Sequence, residues 1–289
     1  MNPNNTSVLP LEVRASSIHR LCTNKPRFDY NEFSMLERDF IETLEKKGLI
    51  FEPEELEEYC ITNGIKTKAL AYKNQLQNRM LFEEDPLPEG AKTYIQEVWL
   101  QLNCGFYKVT LNSEEPKLLK GHAVENDAIS LVGQYYNIEI TKNIERVIKG
   151  VLTGECDVLY VSDTIRKIRD AKCPEDWASF RKKNGIETAY YWQLIAYCYL
   201  YDATEAYLDY ILMQTPQEIF NLMVRNFNTE DIHKLTISNN NIAMLSPEQR
   251  IKTYELEGIQ ANIEFLITRL AKAEEYYNSL TYELCMNLN

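Results

Sequence analysis

The sequence predicts a mixed α/β fold, a central mixed β-sheet flanked by helices, and three observations carry that expectation. A helix-period stretch, predicted over Leu118 to Tyr135, gives way at Ile138 to runs of period two that continue, with turns, to Cys173. An aromatic helix is predicted from Glu187 to Tyr201. A further strand-like run, Ala206 to Met213, follows it.

With 289 residues, of which 45% are apolar, the chain can bury one substantial core, and a single body over 1–289 is expected. Residues 1–10 read as a loosely held arm. Ser17 to Thr23 reads as a short helix entered through Ser16 as N-cap. Its open N-terminal amides, with Arg14, Arg20, Lys25 and Arg27 nearby, suit a phosphate, whereas a plain surface cap explains the same residues. Asn31 to Lys47 and Glu52 to Asn63 read as Glu-rich surface helices, and Ala91 to Leu102 as another, in which Glu97 is structural.

Within the predicted helix from Leu118, Glu125 shares a face with Ala128, Ile129 and Val132. A carboxylate there needs a partner or a metal, unless it lies at the boundary and reaches water. Ile138 to Ile148, Val151 to Tyr160 and Thr164 to Cys173 read as strands. A turn at Ser162-Asp163 pairs Val161 with Thr164 and Glu155 with Asp170, which sets Asp157, Asp170 and Lys172 on one face. Pro216 to Phe227 reads as a short helix and Asn239 to Asn241 as a loop. Ser246-Pro247 opens a predicted helix to about Leu284, with an apolar seam at Ile263, Leu266, Leu270, Ala273, Tyr277 and Leu280 that suits either an oligomer or the chain's own core.

Charge narrows the function. The net charge of −12 argues against a generally basic nucleic-acid binder. The distribution is local: Thr164 to Lys183 holds seven basic residues against three acidic, and Arg38 to Glu58 eight acidic against three basic. Seven cysteines without a C-x-x-C pair disfavour a disulfide framework or a zinc ribbon. No signal sequence or membrane span is apparent, so a soluble cytoplasmic protein is expected.

Two carboxylates and a lysine on adjacent strands suit phosphodiester hydrolysis. Asp157 and Asp170 would hold one or two hard divalent ions such as Mg²⁺, and the Ala171 carbonyl would add a ligand. Lys172 would orient the attacking water or stabilise charge on phosphorus. Glu125 would complete the metal shell, and Gln193, between Tyr190 and Tyr197 on its helix, would fix the lysine and a metal-bound water.

These residues carry a resemblance. The chain resembles PD-(D/E)XK nucleases of the lambda exonuclease and YqaJ group, related to RecB-type nuclease domains. The matching segments are Ala15-Ser16-Ser17-Ile18-His19, Lys25-Pro26-Arg27, the run from Lys120-Gly121 through Glu125 to Ala128, Gly154-Glu155-Cys156-Asp157, Asp170-Ala171-Lys172 and Tyr191-Trp192-Gln193 through Tyr197.

The resemblance implies a restriction-endonuclease-like core and Mg²⁺-dependent DNA cleavage, with Mn²⁺ as a substitute. It implies Glu125, Asp157, Asp170 and Ala171 as the metal set, Lys172 as the catalytic lysine, and Gln193 with Tyr197 in support. Relatives of this kind degrade double-stranded DNA from the 5′ end and feed a single-strand annealing partner in phage recombination. Trimeric rings occur among them, so a homo-oligomer is implied, with no role for a membrane and a host cytoplasmic location. Ser16 and Arg27 match a 5′-phosphate pocket, and Arg14 or Arg20 would stand in for an upstream arginine that has no counterpart.

The implied layout is an N-terminal helix and pocket (11–30), a helical insertion (31–117), a catalytic core (118–213) and a C-terminal helical part (214–289). An endonuclease of the same fold and a non-catalytic DNA-binding scaffold are the competing readings. Cys285 alone cannot replace the three clustered cysteines of iron-sulfur relatives, and Cys156 and Cys173 read as packing residues.

Overall fold

The computed structural model describes residues 8–22, 61–62, 87–107, 115–162 and 165–281. The chain divides into two compact units, one of Met1–Cys22 with Glu89–Asn289 and the other of Thr23–Pro88. The description below concerns the first unit; the predicted helices from Asn31 to Lys47 and from Glu52 to Asn63 lie outside the described residues except at Ile61 and Thr62, which are helical.

The chain enters through strand β1 (Val13–Arg14) and a 3₁₀ turn, Ala15–Arg20. The turn's N-cap is Arg14 and no side chain caps it, so Ser16 is not the cap expected. Its place is fixed instead by burial of Ala15 and Ile18. Helix α1 (Glu89–Cys104) and helix α2 (Pro116–Tyr136) follow. Pro116, with no amide to satisfy, opens α2, and Asn137 closes it in the left-handed conformation at φ 51°.

Three short strands come next: β2 (Val147–Lys149), β3 (Leu152–Gly154) and β4 (Val158–Val161). The strand expected from Ile138 to Ile148 is confined to β2 and an isolated bridge from Lys142 to Val158. Strand β5 (Arg166–Lys172) leads through helix α3 (Trp177–Arg181) and helix α4 (Thr188–Tyr201) to β6 (Glu205–Ile211). Helices α5 (Gln217–Val224), α6 (Thr229–Ile242) and α7 (Pro247–Arg250), strand β7 (Ile251–Glu255) and helix α8 (Ile259–Ser279) complete it.

Two sheets result. In the smaller, order β1-β3-β2, β1 runs parallel to β3 and β2 antiparallel to it. The larger has the order β4-β5-β6-β7, with only the β5/β6 pair parallel. A parallel pair needs a crossover, and α3 and α4 supply it. Helix α4 is apolar on every side and is accordingly buried from Trp192 through Cys198. Leu194, Ile195, Ile168, Leu208 and Leu266 are each without exposed surface, so the core lies between α4, the large sheet and α8.

Two C-terminal expectations are corrected. Asn239 to Asn241 is helical, because tertiary bonds hold the end of α6: Asn239 accepts from the Thr215 amide at 2.8 Å and donates to its carbonyl at 3.0 Å. The single helix expected from Ser246 to Leu284 is interrupted. A Ser246/Gln249 capping box starts only the four residues of α7, β7 then pairs along β6, and Gly258, at φ 67°, turns the chain into α8. The seam residues Leu266, Leu270, Ala273 and Tyr277 are buried, and α8 packs against α1 and α4 of its own chain.

Candidate active site

Strand pairing brings the acidic residues together. Tyr160 faces Lys167 and Val158 faces Arg169, a register two residues away from the one expected. A shift of two preserves which face each side chain takes, so Asp157, Asp170 and Lys172 still converge. Asp157 Oδ2 accepts the Ala171 amide at 2.7 Å. Lys172 Nζ lies 2.5 Å from Asp170 Oδ2, while neither Asp170 oxygen accepts a well-angled hydrogen bond although the residue is 1% exposed.

This crowding decides the charge states. Burial, then the facing Asp170, pushes Asp157 up to about 8. Burial pulls the Lys172 ammonium down, but Asp170 and Asp157 outweigh it and hold the group above its ordinary value. Burial likewise pushes the Cys156 and Cys173 thiols up to about 12, so both are packing residues here and poor thiolate donors.

Asp157, Ala171, Lys172 and Glu125 line one cavity of about 410 Å³, whose walls also include His122, Lys183, Tyr190 and Tyr210. Glu125 reaches it from α2 and is held by Lys142 Nζ at 3.0 Å. Among the described residues no three His, Cys, Asp or Glu side chains form a ready-made metal cage. Two facing carboxylates, Asp170 buried on the Lys172 ammonium and Asp157 partly buried, nonetheless fit a hard divalent ion. Mg²⁺ typically takes one or two carboxylates and keeps several waters. The Asp157–Asp170 pair is therefore the candidate metal position, with Glu125 across the cavity on its lysine.

Gln193 departs from its expected contact: its Nε2 donates to the Tyr197 hydroxyl at 2.8 Å, and no bond from it to Lys172 is made. Tyr197 stands near the acids, its hydroxyl raised by burial and then by Asp170. Arg14 and Ser16 are exposed on β1 and the turn. Arg20 pairs with Glu97 at 2.9 Å and lies over the Tyr94 ring at 4.4 Å. None of Arg14, Ser16 and Arg20 lines the cavity, and Arg27 lies outside the described residues.

Sequence reasoning missed Lys142 and Lys120. Lys120 has no exposed surface, and its Nζ donates to the carbonyls of Pro174 at 3.0 Å and Glu175 at 2.7 Å. It ties the first turns of α2 to the exit of β5, the two elements that form the cleft. Its position five residues before Glu125 in a matching segment was the available signal. Among the described cysteines, Cys156, Cys173 and Cys198 lie outside any disulfide and Cys104 is in one. No described helix is long and apolar enough to cross a membrane.

The sequence matches no family model and no curated protein. Among solved structures it is similar to a phage-related exonuclease from Haemophilus somnus 129PT, with a TM-score of 0.60 and 22% identity over 96% of this chain and 97% of that one. An alkaline exonuclease from Laribacter hongkongensis, LHK-Exo, aligns at a TM-score of 0.44 and 14% identity over 69% and 87% of the two chains. The Haemophilus likeness shows the fold, which is the restriction-endonuclease-like arrangement implied by the sequence resemblance.

Proposed function

We propose that the chain is a divalent-metal-dependent deoxyribonuclease, acting as a 5′-to-3′ exonuclease on double-stranded DNA. The observation that supports it most is the convergence of Asp157, Asp170 and Lys172 at one end of the β4/β5 pair, where Asp157 and Lys172 line a cavity of about 410 Å³. The phage-related exonuclease of the same fold adds to the reading.

In this reading Asp157 and Asp170 would hold Mg²⁺, with Mn²⁺ as a substitute, and Glu125 would join them on leaving Lys142. A bound ion would supply phosphate-charge neutralisation and water activation. Lys172, held protonated by its two acidic neighbours, acts as a hydrogen-bond donor and a fixed positive charge toward the phosphate oxygens. Gln193 acts one step back, by orienting the Tyr197 hydroxyl beside Asp170. Preference for a 5′ end rests on Ser16, Arg14, Arg20 and Arg27, with Arg20 exchanging Glu97 for a phosphate. A single-strand annealing protein is the expected partner, in the host cytoplasm.

End-labelled linear duplex DNA, with closed circular DNA as control, tests this. Mg²⁺ should drive loss of the linear form alone, with label released first from the 5′ end. Cutting of the circle would replace the exonuclease by an endonuclease, and no cutting in Mg²⁺ or Mn²⁺ would leave a DNA-binding scaffold.

A further inference from the structure

Opposite α2, the cavity wall is built from Lys183, Tyr190 and Tyr210, none of which the catalytic reading uses. The segment that carries Lys183 is fixed firmly. Lys252 Nζ spends its three donors on the carbonyls of Phe180 at 3.1 Å, Arg181 at 3.1 Å and Lys183 at 2.7 Å. The Tyr254 hydroxyl donates to the Lys183 carbonyl as well, at 3.0 Å. A backbone anchored in this way leaves the Lys183 side chain as the part free to choose a partner.

That side chain pairs with Glu187 and lies over the Tyr210 ring, 5.2 Å from its centre. Lys172 lies over the Tyr190 ring at 5.1 Å, and the two rings meet edge to face. The two lysines are thus joined through a pair of touching rings. Tyr210 is 1% exposed, and its hydroxyl lies beside Glu187, close to that residue's backbone but with no hydrogen bond of good geometry. A buried hydroxyl without a partner is costly, and one lining a cavity beside a lysine is placed to donate to an anion. The cavity wall carries Lys117, Lys172 and Lys183 beside Glu125, Asp157 and Glu175, and each lysine is paired with a carboxylate, so a phosphate gains the charge of Lys183 by displacing Glu187.

We propose that Lys183 and Tyr210 form a phosphate-binding subsite of the cleft, which holds a backbone phosphate of the nucleic-acid strand next to the one under attack. Glu187 is the counter-ion that Lys183 leaves when the strand binds. The subsite rests on the deoxyribonuclease reading above. A plain surface pair four residues apart would account for Lys183 and Glu187 alone, but it accounts neither for the poorly satisfied Tyr210 hydroxyl on the cavity wall nor for the anchoring of the segment.

The test is equilibrium binding of a fluorescein-labelled DNA duplex to the full chain, with Ca²⁺ replacing Mg²⁺, over a range of salt. Lys183→Gln should weaken binding about tenfold, as expected for a charge-assisted contact, and lower the slope of log affinity against log salt by about one. Lys183→Arg should restore the slope. Glu187→Gln should act in the opposite direction and tighten binding about threefold, because it frees the lysine. Tyr210→Phe should weaken binding without changing the slope.

Thermal unfolding of each variant separates lost contacts from lost fold, and Glu187→Gln carries the test if Lys183→Gln fails to fold. If the wild type binds with normal salt dependence while neither Lys183→Gln nor Glu187→Gln changes it, the subsite is overturned and the nuclease reading stands. If the wild type binds no duplex at all, both fall.

Discussion

Asp157 reaches from β4 to the backbone of β5, where its Oδ2 accepts the Ala171 amide at 2.7 Å, between Asp170 and Lys172. One carboxylate oxygen is thereby occupied in holding the strand, and the acid is fixed against its neighbour. The consequences of this arrangement can be measured.

Lys172→Ala should abolish cleavage and leave DNA binding nearly intact. Removing a preorganised donor of this sort costs on the order of 3 kcal/mol, at least about a hundredfold in rate. Single-turnover cleavage with a parallel binding assay checks it. A variant that cuts at the wild-type rate would remove the lysine from the mechanism.

Asp157 should make stability pH-dependent once divalent ions are chelated. Its folded pKa, about 8, lies above the ordinary value of 3.8. The native state keeps a proton that the unfolded chain has released, so stability falls as pH rises from about 4 toward 8. The melting temperature in EDTA should be lower at pH 8 than at pH 6, and Asp157→Asn should flatten the difference. Added Mg²⁺ should raise it more at pH 8, since the ion competes with the proton. A wild type no more pH-sensitive than Asp157→Asn contradicts the raised acid.

Lys120→Met should show what a buried ammonium does. Burial pulls Lys120 down to about 8 from 10.5. Between those values the unfolded chain binds the proton and the native state does not, so its contribution to stability grows as pH rises through the window. The variant should lose that rise. At neutral pH two forces oppose each other: the Pro174 and Glu175 carbonyls lose their donor, about 1–3 kcal/mol, while an ammonium no longer has to be buried. Chemical denaturation at pH 7 and pH 10 reads both, and an unchanged pH slope would overturn the assignment.

Gly154→Ala should destabilise the protein by about 1–3 kcal/mol through overpacking. A Cβ there would meet Ala15 Cβ at 2.8 Å, Leu200 Cδ1 at 2.9 Å and Tyr197 Cε1 at 3.0 Å. Because Tyr197 receives the Gln193 bond, the displacement should also lower the cleavage rate. Denaturant unfolding beside cleavage kinetics checks this; wild-type stability would mean that the turn and α4 are farther apart than they stand here.

The parts legible in the sequence are those carried by a local period. Helix α2 with Glu125 on its inner side follows from spacing, and the common face of Asp157, Asp170 and Lys172 survived a two-residue register shift because side chains alternate with period two. Strand β7 was not legible. Its five residues sit between a capping box and a glycine, both of which are helix signals, and only β6 beside it makes it a strand. Nor was the Lys142–Glu125 pair, since the segment from Asn137 to Arg146 has almost no regular structure from which a partner can be projected. The partner of Arg20 was not legible for a related reason: it is Glu97 on α1, 77 residues on in the sequence.

Tyr277 on α8 donates to the Leu9 carbonyl at 2.7 Å and accepts from Asn103 on α1 at 2.9 Å, while Asn103 also receives the Leu9 amide at 2.8 Å. These bonds join residues 268 apart in the sequence, so the segment leading into β1 is held by one of the most non-local contacts of the fold. Contacts of that separation carry a large loop-closure entropy and form only when both ends of the chain are already in place.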